Sequence, residues 1–368
     1  MRIRVAEKPG NIGIKVVGVG GSGGNMVNRM AEKLTGVAIA AVNTDLQALT
    51  EIKVPIKFLI GRKLTRGLGA GGNPELGRFA AEEDRAQLGE LLKGARIVFL
   101  TMGAGGGTGT GAGPIIAEIA KNNGALVIGL VNLPFYFDGA AKMETARKGI
   151  EELKKYTDTL ITISNDKMFE LLPTDTKLTE AFEKINEIFY QGISGISDLL
   201  TKPGHINLDF ADLRTTIKGG GDGLMGIGIA RGPNRAEEAA KMAAGNPFLQ
   251  KESLLKSRNI LVSITGSDTL TIFEVNQVMK TVESLLPAKA KKFTGVALEP
   301  QFQDALKIMV VATGLDNVAV PVAAAEPEPV RYKTKRKNMG ESTDGNQPLL
   351  FDNEGDLPAY LRRKLGKD

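Results

Sequence analysis

The chain has 368 residues, 42% of them hydrophobic, a net charge of +5, no cysteine and a single histidine, His205. Disulfides, thiol nucleophiles, cysteine-based zinc sites and clustered-histidine metal sites are excluded, so carboxylates, hydroxyls and backbone must carry any chemistry. Basic residues are interleaved with acidic ones and aromatics are only 5%, so neither a phosphate-binding stripe nor a base-stacking platform stands out and nucleic acid is not an expected partner. The length admits two domains. The longest apolar run, 125–135, is interrupted by Asn132 and Pro134 and is too short to span a membrane. The first nine residues are basic without an apolar signal core. The expectation is a soluble cytoplasmic protein without direct membrane insertion, and His205, after Pro203-Gly204, reads as a turn residue.

Ile12 to Val19 reads as a buried strand, and Gly20-Gly21-Ser22-Gly23-Gly24-Asn25 opens a helix through Met26, Val27, Met30 and Leu34. Gly18, Gly20 and Gly23 have the Gly-x-Gly-x-x-Gly spacing of a dinucleotide fold, and the next strand, Val37 to Val42, ends in Asn43-Thr44-Asp45, where an acid could meet a ribose. The spacing alone equally fits glycines that only let a helix pack closely on a strand. Ile56 to Ile60 is a further strand, followed by a long glycine loop, 66–74, read as flexible and functional, and one charged helix from Glu75 to about Leu92.

Strand 97–101 leads into Gly-Ala-Gly-Gly-Gly-Thr-Gly-Thr-Gly-Ala-Gly at 103–113, read as a phosphate cradle between strand and helix. Glycine there permits positive φ and close approach of an anion to backbone N–H groups. Thr108 and Thr110 add hydroxyls, and the helix is expected from Pro114, a residue suited to a first turn. Strands at 125–131 and 159–163 follow, separated by a helix carrying Met143, Ala146 and Ile150. Ser164-Asn165-Asp166 reads as an N-cap cluster for a helix 167–172. Strands alternating with helices indicate a parallel sheet whose ligands collect at the carboxyl ends of the strands.

From Leu178, apolar residues keep helical spacing for more than twenty positions, one long helix suited to joining two domains. Asp209 and Asp212 then stand three apart, sharing one face near a helix start. A capping Asp beside an ordinary surface Asp is the plainer alternative. Strands at 225–230, 260–264, 293–298 and 306–311, with helices near 235–244 and 271–285, give a smaller α+β domain. After Gly314 the composition turns to Ala, Pro and Glu, then basic, then polar, a linker unable to order itself. The amphipathic basic peptide 356–364 beyond it suggests partner docking.

At Gly105-Gly106-Gly107-Thr108-Gly109-Thr110-Gly111 the sequence resembles the tubulin and FtsZ family, in particular bacterial FtsZ. The likeness runs from about 11 to 315, takes in Gly20 to Asn25, Asn43-Thr44-Asp45 and Asn207-Leu208-Asp209-Phe210-Ala211-Asp212, and resumes at 356–364. The resemblance implies an α/β architecture: a leader, 1–10; a Rossmann-like parallel-sheet GTPase domain, 11–176; a central helix, 177–202; a smaller α+β domain, 203–315; a disordered linker, 316–350; and a partner-binding peptide, 351–368.

Function is implied too: a GTPase that polymerises head to tail and forms the division ring at midcell. Its tail is held by division regulators and membrane adaptors of the FtsA or ZipA kind. GTP/GDP with Mg²⁺ is implied, and a monovalent cation is admitted. By the same resemblance Gly20, Gly21, Ser22, Gly23, Gly24 and Asn25, with Gly103, Ala104, Gly105, Gly106, Gly107, Thr108 and Gly109, hold phosphates. Asn43 and Asp45 lie toward the ribose and metal, and Asn165, Asn186 and stacking Phe182 read guanine. Asp138 and Lys142 stand where the family generally has Glu and Arg, which shortens one reach and removes a planar fork. Asn207, Asp209 and Asp212 form the catalytic set, with the aspartates completing a neighbour's site. A nucleotide-dependent oxidoreductase and a non-catalytic nucleotide-binding scaffold are the alternatives. The first leaves the second glycine cluster without a use.

Overall fold

The computed structural model describes residues 13–202, 209–249, 251–285 and 289–315. The expectations for the leader, His205, Asn207, the linker and the tail peptide lie outside these residues. Strands β1 (Ile14–Val19), β2 (Ala38–Asn43) and β3 (Ile56–Leu59) alternate with helices α1 (Gly20–Met30), α2 (Leu46–Glu51) and α3 (Arg62–Thr65). Helices α4 (Pro74–Glu83) and α5 (Arg85–Leu92) precede β4 (Ile97–Gly103), α6 (Thr108–Asn122), β5 (Leu126–Leu133), α7 (Ala140–Lys154) and β6 (Thr159–Ser164). The long α8 (Leu178–Thr201) and short α9 (Phe210–Ile217) lead to β7 (Gly221–Arg231), α10 (Arg235–Ala244), α11 (Lys251–Leu254), β8 (Asn259–Gly266), α12 (Ile272–Leu285), β9 (Lys291–Leu298) and β10 (Ala305–Leu315).

The central strands are apolar almost throughout, and every residue of β5 is buried, as a parallel strand covered on both faces requires. The first six strands run parallel in the order β3-β2-β1-β4-β5-β6. That order reverses direction between β1 and β4, which opens a crevice at their carboxyl ends. The α+β half continues the same ten-stranded sheet: β7 pairs with β6 in parallel, β10 lies antiparallel between β7 and β8, and β9 pairs with β8 in parallel.

Alternation along the strands divides the core. Val16 and Phe99 join the side covered by α1 and α8, whereas Val17, Val98 and Leu100 join the side covered by α4 to α7. Helix α8 buries Ile185, Phe189, Ile193, Ile196 and Leu199 and spans about 36 Å at 1.5 Å per residue. A Cβ on Gly192 would lie 2.5 Å from Met225 Sδ, and one on Gly195 2.6 Å from Met309 Sδ, so two glycines let the helix settle on the strands of the second half.

Four local expectations are corrected. Helix α6 begins at Thr108, six residues before Pro114, and includes the proline. The missing N–H deprives the Thr110 carbonyl of its helical donor, and tertiary packing holds the turn nonetheless: a Cβ on Gly111 would lie 1.9 Å from Pro74 O, and one on Gly113 2.4 Å from Met102 Sδ. The single helix read over 75–92 is broken at Asp84, where φ is −108° and ψ is 21° while the carboxylate accepts from Gly61 N at 2.7 Å. Residues 165–170 form a 3₁₀ helix without a side-chain cap from Ser164, and Asp166 Oδ1 is taken by Tyr136 N at 3.0 Å. The glycine loop expected to be flexible is tied down, with Gly69 N donating to Thr44 O, Leu46 N donating to Gly67 O and Ala70 buried.

A buried charge cluster joins the end of α8 to the second half. Lys202 Nζ lies 3.0 Å from Asp198 Oδ1 and 2.9 Å from Glu299 Oε1. Burial pushes the Asp198 carboxyl up to about 6 and pushes the buried Lys307 down from its ordinary value. Burial is the largest single influence on Glu299 and opposes its charge, but Lys202, Lys307 and the Asp198 hydrogen bond together outweigh it and hold that carboxyl below its usual range. A carboxyl raised on folding contributes stability that is present below the unfolded value and lost as the pH rises through the folded one. Replacing Asp198 by Asn removes that loss. Relative to the parent chain, Asp198→Asn is expected to gain stability by up to about 3 kcal/mol between pH 4 and pH 7.5, measured by denaturant unfolding at both pH values.

Candidate nucleotide site

The carboxyl ends of β1, β4 and β5 open into a cleft of about 330 Å³ lined by Gly20, Gly21, Ser22, Gly103, Ala104, Gly106, Gly107, Thr108, Gly109, Asn132, Asp138, Lys142, Asn165 and Phe182. A second cleft shares Gly20 and Gly21 with it and adds Gly24, Asn25, Asn28 and Asn43. Both glycine turns therefore meet at the switch point.

The start of each glycine-led helix carries no substitute for an anion. Neither α1 nor α6 has a side-chain cap, and neither has an acidic residue in its first turn. Their first N–H groups are unmatched and the positive ends of both dipoles converge on one cavity. Gly20 and Gly105 have φ of +73° and +90°, the left-handed region that favours glycine. Gly21 and Gly106 have nothing within 4 Å of an added Cβ. Their missing side chains leave open space in the cleft, and no packing demands it.

The remaining glycines have other uses. A Cβ on Gly18 would lie 2.2 Å from Gly23 O, and one on Gly23 2.4 Å from Thr101 O, so these two let α1 press on the strands. Both readings of the dinucleotide spacing apply, each to different glycines. In the second cluster the loop narrows to 104–107, since Gly109, Gly111 and Gly113 are already helical. Thr108 Oγ1 lies 2.6 Å from Thr44 Oγ1. Thr110 Oγ1 accepts from Gly105 N at 2.9 Å, so its hydroxyl braces the loop from beneath.

The acids and amides sort themselves by hydrogen bonding. Asp45 caps α2 by accepting from Ala48 N at 3.0 Å and lines neither cleft. Asn43 Oδ1 accepts from Thr44 N at 2.9 Å. Asp138 Oδ2 accepts from Phe135 N at 2.9 Å, while its Oδ1 receives Lys142 Nζ at 2.7 Å. This pair closes on itself at the rim. Phe182 meets Phe135 edge-on with ring centroids 5.9 Å apart, and Phe135 stacks on Phe137 at 4.7 Å, which builds an aromatic wall beside Asn165. Asn186 is half-buried on α8 and lies outside both clefts.

Asn132, Phe135 and Phe137 also line the cleft and were not singled out as site residues. The sequence carried a signal for the first. Asn132 is a polar residue at the carboxyl end of an otherwise apolar strand, and Pro134 follows it closely.

The opposite edge of the sheet holds α9. Phe210, Arg214 and Lys218 share a cavity with Arg96, Ala125 and Leu126 at the amino ends of β4 and β5, and the Arg96 guanidinium stacks over the Phe210 ring at 4.2 Å. Asp209 caps α9, its Oδ1 accepting from Asp212 N at 2.7 Å. The capping alternative thus holds for Asp209. The Asp212 carboxylate, half-exposed in the first turn, has no partner among the described residues.

Residues 13–173 match the Tubulin/FtsZ family, GTPase domain, and residues 221–316 match the FtsZ family, C-terminal domain. The empty FtsZ dimer of M. jannaschii is 40% identical, with a TM-score of 0.78 over 82% of this chain and 88% of that one. The chain belongs to the tubulin/FtsZ family. GDP-bound CetZ1 and the GTPγS-bound CetZ2 protofilament, both from Haloferax volcanii, are each 22% identical, with TM-scores of 0.73 and 0.66. Each alignment covers 83% of this chain, with 95% of CetZ1 and 93% of CetZ2, and these two attest the fold. Family membership makes the protein a GTP/GDP-binding, polymerising cytoskeletal GTPase. The oxidoreductase alternative falls with it.

Proposed function

We propose that GTP is hydrolysed only in head-to-tail filaments, with the cleft of one subunit completed by α9 of the next. The observation that supports this reading is the separation of parts. The cleft opens at Gly103 and Asn132, whereas α9 sits by Arg96 and Leu126, and the six steps of β4 between these ends amount to about 20 Å. A carboxylate that orients water must come within hydrogen-bond reach of it, so Asp212 cannot serve its own cleft. A heterologous contact repeated without closure brings it to the neighbour's cleft and makes an open filament.

Within that contact the unpartnered Asp212 orients and polarises the attacking water, and Asp209 fixes the helix start that carries it. The two uncapped helix ends stabilise phosphate charge in place of a Walker lysine. Among the described residues no group of three or more His, Cys, Asp or Glu is placed to hold a metal. This fits Mg²⁺ carried mainly by phosphate oxygens and water.

By the same reading the filaments form the division ring of the bacterial branch at midcell in the cytoplasm, and the tail recruits division regulators and adaptors of the FtsA or ZipA kind. Phosphate release per subunit, measured against protein concentration, is expected to rise cooperatively above a threshold that coincides with the onset of light scattering. Turnover per subunit that stays constant through that threshold would sink the shared site, and absence of turnover would leave the nucleotide-binding scaffold.

A further inference from the structure

We propose that Asn132 is a positioning residue that sets which end of the Asn165 amide faces the nucleotide and ties that setting to the phosphate-binding helix. The proposal rests on the GTP-site reading above. Asn132 is only 9% exposed, and its side chain is used at both ends. Ser22 Oγ, in the first turn of α1, donates to Asn132 Oδ1 at 3.2 Å, and Asn132 Nδ2 donates to Asn165 Oδ1 at 3.5 Å. Gly103 keeps the space, since a Cβ there would lie 2.7 Å from Ser22 Cβ and 3.1 Å from Asn132 Oδ1.

An amide has one acceptor end and one donor end. The structure gives the Asn132 oxygen to the Ser22 hydroxyl and its N–H to Asn165, and Asn165 answers with its oxygen. That leaves the Asn165 nitrogen for a ligand. Among the described residues the sealed side-chain polar atoms without a partner are Ser263 Oγ and Thr265 Oγ1. The Asn165 nitrogen, which bonds no other residue, therefore opens onto the cleft that Asn165 lines.

A donor fixed in that direction accepts a purine carrying a 6-oxo group and meets a 6-amino group with donor against donor. The relay thus favours guanine over adenine without Asn132 itself reading the base. It also links the two ends of the nucleotide, because the hydroxyl that begins the relay belongs to the helix whose N-terminus faces the phosphates.

The test compares GDP and ADP, whose identical phosphates cancel charge effects, by equilibrium titration of the full chain. Asn132→Leu keeps the side-chain shape without either hydrogen bond, freeing Asn165 to turn. The expected result is a roughly tenfold fall in the GDP-to-ADP affinity ratio, the scale of one such hydrogen bond. Asn132→Asp accepts at both oxygens, so it should turn the Asn165 nitrogen toward itself and lower the ratio at least as far. In an Asn165→Ala background, Asn132→Leu should leave the ratio unchanged, because Asn132 acts through Asn165. Equal losses for GDP and ADP, or an undiminished effect in that background, would overturn the proposal, as would an unchanged ratio in folded Asn132→Leu. If Asn132→Leu does not fold, Asn132→Asp carries the comparison, and an unchanged ratio in it overturns the proposal. A parent chain that prefers neither nucleotide overturns the GTP-site reading instead.

Discussion

Asp212→Ala is expected to bind GTP with the parent affinity, to enter mixed filaments, and to hydrolyse roughly 100-fold to 1,000-fold more slowly, the scale seen when one preorganised group is removed from a site. The helix itself should survive, because the cap is made by Asp209 to the backbone N of residue 212, which alanine retains. Since the carboxylate serves the neighbour, turnover in mixtures should fall with the fraction of contacts whose α9 side is mutant. An equimolar mixture should retain about half the activity if the two chains mix at random. Phosphate release from mixed filaments, with co-sedimentation to confirm incorporation, decides this. Parent-level turnover by the pure variant would remove Asp212 from the chemistry.

Gly106→Leu is expected to weaken GTP binding by at least about 100-fold, close to 3 kcal/mol, while leaving thermal unfolding nearly unchanged. Gly106 does not have positive φ, and nothing lies within 4 Å of its added Cβ, so a side chain costs the fold little and fills the space the phosphates need. Gly111→Leu should do the reverse. Its Cβ would lie 1.9 Å from Pro74 O, so α4 must move from α6 and the loss is one of stability. Nucleotide titration and thermal melting of the two variants separate a cradle glycine from a packing glycine. Comparable melting losses in both would mean that the loop at 104–107 is also held by packing at Gly106.

Much of the architecture was legible because its signals are local. The apolar runs at 97–100 and 125–131 read as buried strands, the stripe from Leu178 to Leu200 read as one helix, and the two glycine clusters read as turns at a sheet edge. Boundaries failed where a distant partner overruled local preference. Pro114 reads as a helix start, yet α4 and Met102 hold six earlier residues helical. Asp84 breaks a helix because Gly61, twenty-three positions away in the chain, takes its carboxylate. Asn132 escaped notice as a site residue since its partners, Ser22 and Asn165, are 110 and 33 residues distant.

What the sequence by itself determined is the inventory: glycine turns without a Walker lysine, carboxylates as the available acids, and family membership through motifs whose spacing along the chain is sufficient. Only the tertiary structure decided which glycine faces the cleft and which faces a strand, that Asp209 caps while Asp212 stays unpartnered among the described residues, and that the cleft and α9 occupy opposite ends of β4. Spacing along a chain specifies backbone conformation and helix faces. The direction of an amide, the space above a glycine and the distance between two ends of a sheet depend on residues that meet only after folding.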